Sequence, residues 1–128
     1  MNARRLLARS PAPLALMGLI FFLSAQPELS TDLGVIDLVL RKLAHMVAFG
    51  ALAALWWWAL RPAASSALAI AVATAAFYAI GDEYHQTFVE GRSGSPLDVA
   101  IDWLGIFIVA MLLSRRVLSR AWARGETG

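Results

Sequence analysis

The chain has no cysteine, which removes disulfide frameworks and thiolate metal sites together. It has two histidines, at positions 45 and 85, too far apart for a helical metal-ligand pair such as HExxH. There is no glycine-rich phosphate loop and no serine nucleophile elbow, so no local motif identifies a reaction. Charge is scarce too: only 16% of the residues are charged, and a net charge of +2 gives no footprint for nucleic acid. What fills the space is apolar. Hydrophobic residues make up 59% of the 128 positions and the mean hydropathy is +0.65. A water-soluble domain this small has too little interior to hide that much apolar surface.

Four apolar stretches account for it, at about 11–26, 43–60, 63–81 and 96–114. A bilayer needs about 20 predominantly apolar residues per helix, and somewhat fewer when flanking residues adapt. Backbone in lipid must satisfy its own hydrogen bonds, so each stretch is expected to be a helix. The expected fold is an all-α integral membrane protein with four transmembrane helices in a single domain, followed by a basic tail over 115–128.

The arginines orient it. Arg4, Arg5 and Arg9 precede the first stretch, Arg61 lies in the turn after the second, and Arg115, Arg116, Arg120 and Arg124 follow the fourth. Four spans put all of these on one side and leave Arg41, Lys42 and Arg92 on the other. The acids show the reverse bias, with only Glu126 on the arginine-rich side. The positive-inside rule then predicts both termini in the cytoplasm and both longer loops outside. The N-terminal segment has the outline of a cleavable signal ending at Ser24-Ala25, but Leu23 stands where a small residue is wanted, so it is read as a retained helix.

Small residues suggest how the helices meet. Ala63, Ala67, Ala71, Ala75 and Ala79 recur every fourth position in the third stretch, and Gly50 and Ala54 form a shorter seam in the second. Such seams let helices approach closely, so the third span is expected to be central. Trp56, Trp57 and Trp58 near the cytoplasmic end, and Trp122 in the tail, read as interfacial anchors.

The polar residues are unusual in their grouping. Lys42 and His45 share a helix face with Phe49 near the start of the second stretch. Asp82, Glu83 and Gln86 close the third. Arg92 lies in a glycine-flanked loop, and Asp98 and the deeper Asp102 open the fourth. The topology brings all three groups to the outer surface. Ionisable residues at a membrane helix end are costly unless paired or wet, which makes them candidate functional groups. Lys42 and Arg92, with His45, suit an anion such as a phosphate. Asp82 and Gln86 complete the candidate binding set. Glu83, Asp98 and His45 are the candidates for proton transfer. Asp82, Glu83 and Asp98 are also hard oxygen donors, but no motif assigns them a metal.

A structural reading stands beside the functional one. Ser95-Pro96-Leu97-Asp98 has the pattern of a helix start, with Ser95 at the cap. Lys42 and Arg92 can equally be partners for the acids in an interhelical ion-pair network.

The motifs Lys42-x-x-His45-x-x-x-Phe49-Gly50-x-Leu52 and Asp82-Glu83-x-x-Gln86-x-Phe88-x-x-Gly91-Arg92, followed by Asp98, resemble those of the VanZ-like bacterial membrane proteins. They span about half the chain. Glu90 stands where proline often precedes Gly-Arg in that pattern, and Asp102 where asparagine is common. The resemblance implies a multi-pass protein of the bacterial cytoplasmic membrane with an envelope role. It implies neither a reaction nor a cofactor, and it does not carry over glycopeptide resistance. Two functions compete: binding or modifying a lipid-linked or anionic envelope ligand, or acting as an accessory to another membrane protein. A transporter is a weaker third, because four short helices would need to oligomerise.

Overall fold

The computed structural model describes residues 3–26, 34–89 and 94–125, and everything regular in them is helical. The helices are α1 (Ala3–Arg9), α2 (Pro11–Ser24), α3 (Val35–Leu60), α4 (Ala67–Gln86) and α5 (Pro96–Ala123). Together α1 and α2 make one apolar segment broken near Pro11, which has no N–H to give to the ladder. With it counted once, four helical segments of 22, 26, 20 and 28 residues are long and apolar enough to cross a membrane.

The helices outrun the apolar stretches that seed them. α3 begins at Val35, well before the apolar run, because Asp37 and Arg41 pair at 3.0 Å across one turn and keep a polar turn helical. α5 runs past its apolar stretch to Ala123 and carries Arg115, Arg116 and Arg120. At about 1.5 Å per residue it is about 42 Å long, more than the ~30 Å hydrocarbon core requires. Its start follows the expected cap: Ser95 is extended (φ −144°, ψ 141°), and its Oγ accepts from the N–H groups of Leu97 at 3.1 Å and Asp98 at 3.4 Å. Pro96 follows at the first helical position, where a missing N–H costs nothing.

The polarity of the bundle is inverted relative to a soluble protein. Phe77, Leu97, Phe107 and Met111 are exposed, whereas Ser24, Asp82, Glu83, Gln86 and Asp102 are buried. That distribution suits a bundle surrounded by lipid. The small apolar core consists of Ile20, Phe49, Leu52, Ala53, Ala75, Ala79 and Ile106.

The alanine seam of α4 is real over Ala67, Ala71, Ala75 and Ala79, all buried, but Ala63 falls in the turn before the helix. The central element is α3, not α4: it packs against each of the other four helices. The cause is glycine. Gly50 of α3 faces Gly105 of α5, and a Cβ on Gly50 would lie 2.9 Å from Val109 Cγ2 and 3.1 Å from the Gly105 carbonyl oxygen. A Cβ on Gly105 would overlap the Met46 carbonyl oxygen. Two glycines therefore bring α3 and α5 into backbone contact, closer than alanines allow. Besides Gly50, the buried small residues on α3 are Ala53 and Ala59, with Ala54 turned partly outward.

Candidate functional site

Lys42 and His45 lie well inside α3, in its second and third turns, because the helix begins earlier than the apolar run. Their shared face meets α5 in two rungs. Lys42 Nζ pairs with Asp98 Oδ1, and one turn deeper His45 Nδ1 lies 3.3 Å from Asp102 Oδ1. An i, i+3 pair on one helix faces an i, i+4 pair on its parallel neighbour, so the rungs follow from helix periodicity once the glycine contact has fixed the distance. Below them Phe49 is fully buried, its ring 6.1 Å from His45 and 6.2 Å from Tyr78.

The last turns of α4 supply the other acids. Asp82 Oδ2 accepts a hydrogen bond from Ser24 Oγ at 2.9 Å and a long one from Gln86 Nε2 at 3.5 Å. Glu83 Oε1 accepts from the Ser95 backbone N–H at 3.0 Å and so ties α4 to the start of α5. Gly94 presses against the same turn: a Cβ there would come within 2.6 Å of the Glu83 carbonyl oxygen. His45 interacts electrostatically with Asp82 and Glu83 as well as Asp102. Lys42, His45, Asp82, Glu83, Gln86 and Asp98 thus gather at one end of the bundle. Arg92, the remaining candidate, and Glu90 lie outside the described residues.

The pairing of Lys42 is of the kind the ion-pair reading expects. Lys42 is taken up by Asp98, so an anion would have to compete with a carboxylate for it. Asp98 does not cap its helix by its side chain; Ser95 does that, leaving Asp98 for Lys42. His85 is stacked on Phe21 at 4.5 Å between ring centres and interacts electrostatically with Asp82. Two participants had no assigned role in the sequence reading. Ser24 is the hydroxyl at the end of the first apolar stretch, and the four-span topology already put it at the level of the acids. Asp102 was visible as a deeper acid, but nothing in its spacing named His45 as its neighbour.

Among the described residues, no group of three or more His, Asp or Glu side chains is disposed to hold a metal ion. Among the described residues, Asp82, Glu83, Asp98 and Asp102 share this end of the bundle with Lys42, His45 and His85, and Asp82 Oδ1 and both carboxylate oxygens of Asp102 are buried without a hydrogen-bond partner. The 3.3 Å contact of Asp102 with His45 is close enough in distance but off-line for a hydrogen bond.

Apolar helices of membrane-crossing length, wrapped around acids that a soluble core would not tolerate, define a multi-pass membrane protein. Within that class, the chain belongs to the VanZ-like family: the family model described as VanZ/LLP1 matches residues 12–119, from α2 through most of α5, and takes in the whole cluster. No curated protein and no solved structure matches the chain. Family membership supports an envelope-associated role.

Proposed function

We propose that this protein sits in the bacterial cytoplasmic membrane with both termini in the cytoplasm, and that its polar cluster faces outward to receive the charged headgroup of a lipid-linked or anionic envelope ligand. The observation that carries the reading is the unequal exposure of the two rungs. In each rung the basic side chain is the more exposed partner: Lys42 is 34% exposed against 20% for Asp98, and His45 29% against 1% for Asp102. Part of each basic side chain therefore lies at the surface of the bundle, with an acid of α5 facing it from within. A headgroup phosphate would exchange Lys42 from Asp98, with Arg92, which falls in sequence between α4 and α5, as a second donor. Asp82 and Gln86 are buried at the same end of the bundle. Of the candidate proton-transfer groups, Glu83 is engaged by the Ser95 N–H, Asp98 is released only when a headgroup draws Lys42 away, and His45 is in place beforehand.

The test is retention of phosphate-bearing envelope lipids by the purified protein, read by native mass spectrometry. Wild type is expected to keep such lipids, and Lys42→Ala and Arg92→Ala to lose them at least tenfold more readily. Equal retention by all three would sink the proposal and favour the structural reading. That reading has its own support, since Lys42–Asp98 and Glu83–Ser95 each tie α5 to another helix. It predicts that the same variants fail to accumulate in the membrane.

A further inference from the structure

Asp102 presents a problem that the rest of the cluster does not solve. Its side chain is 1% exposed, and neither carboxylate oxygen has a hydrogen-bond partner among the described residues. Leaving a buried carboxylate without a donor is among the more expensive arrangements a helical bundle can hold. The polar atom recorded within ion-pair distance of it is His45 Nδ1, at 3.3 Å. Carboxylate oxygens accept, and an imidazole nitrogen donates only when it carries the proton. A modest rotation about the outer torsion of His45, which is a broad one, brings the N–H into line.

We propose that Asp102 is a positioning residue that holds His45 in the Nδ1–H tautomer, so that the Nε2 lone pair is turned to the open side of the cluster. Three features of the chain converge on it. The two side chains are opposed in exposure: Asp102 is buried and faces Nδ1 at 3.3 Å, whereas the His45 side chain as a whole is 29% exposed. The ring is held from below by the buried Phe49. Gly105 stands one turn beyond Asp102 and touches the carbonyl of Met46, the residue after His45, so the glycine contact between α3 and α5 also sets the His45–Asp102 distance. A ring nitrogen whose partner nitrogen is tied to a carboxylate is oriented and made more basic, which is what a proton acceptor beside a headgroup needs. The use of that lone pair rests on the function proposed above, whereas the tautomer is a property of the chain itself.

The chain's two histidines make this directly measurable. Protein labelled with ¹⁵N-histidine, in lipid nanodiscs titrated upward in pH until each ring carries a single proton, gives two ring systems, and His85→Gln identifies the one belonging to His45. Two-bond ¹H–¹⁵N correlations then report which nitrogen is protonated. Wild type is expected to show His45 protonated on Nδ1 and bare on Nε2. Asp102→Asn, whose amide oxygen still accepts, is expected to keep that tautomer, and Asp102→Leu to shift it to Nε2–H. A wild-type His45 protonated on Nε2, or a tautomer unchanged in Asp102→Leu, overturns the proposal. The wild-type spectrum decides even if the leucine variant fails to fold. Lipid retention by the same samples separates the two ideas: an Nδ1–H tautomer in a protein that keeps no lipid leaves the positioning role standing and removes the ligand.

Discussion

Ser24 illustrates how much one hydroxyl carries beside a buried carboxylate. It gives Asp82 its one short side-chain hydrogen bond, at 2.9 Å, while Gln86 contributes only at 3.5 Å. Ser24→Ala leaves a buried carboxylate oxygen nearly unpartnered and is expected to cost about 1–3 kcal/mol. Thermal unfolding in detergent should show a lowered midpoint for Ser24→Ala and a near-normal one for Ser24→Thr. Equal midpoints for Ser24→Ala and wild type would mean that water or another donor takes over. At this scale the sequence was partly legible. Lys42 and His45 declared their common face by spacing, and Ser95-Pro96 declared a helix start. Their opposite numbers did not declare themselves, because which acid meets which cation depends on the rotation of α5 about its own axis. No local pattern encodes that rotation.

Among the elements, the contact between α3 and α5 governs the geometry of the cluster. Gly105→Ala puts a methyl group where the Met46 carbonyl oxygen stands, so α5 must move outward. The expected loss is about 1–3 kcal/mol of stability, accompanied by separation of His45 from Asp102. Gly50→Ala, whose methyl would meet Val109 Cγ2 and the Gly105 carbonyl oxygen, should lower the melting midpoint as well; a normal midpoint for both glycine variants would argue that the helices meet elsewhere. The α4 seam makes a second, independent prediction. Ala71 and Ala75 are fully buried and Ala69 is exposed, so leucine at 71 or 75 should destabilise by about 1–3 kcal/mol while leucine at 69 is tolerated. Equal tolerance at all three, in the same melting assay, would contradict the seam. Alanine periodicity pointed correctly to a packing face on α4. It pointed wrongly to the centre, because a repeat of small residues signals a close contact without ranking it, and two glycines set at matching heights approach more nearly than any number of alanines.

For the whole molecule, orientation is the firmest thing to test. A reporter active only in the cytoplasm should work after Arg120, and one active only outside should work in the loop between α4 and α5; the reverse at either position removes the four-span arrangement proposed above. Composition and patterning alone determined that the chain is helical, that it has four apolar segments long enough to cross a bilayer, and that its polar residues belong at one end. Each of those follows from quantities summed along the chain: apolar length, arginine placement and the parity of the spans. The tertiary structure alone decided that α3 is central, that Lys42 meets Asp98, and that His45 meets Asp102 with Ser24 serving Asp82. These depend on how neighbouring helices are rotated and how deeply they sit against one another. That is fixed by where Gly50 and Gly105 allow two backbones to touch, an energy that belongs to pairs of residues 55 positions apart in the chain and to neither one alone.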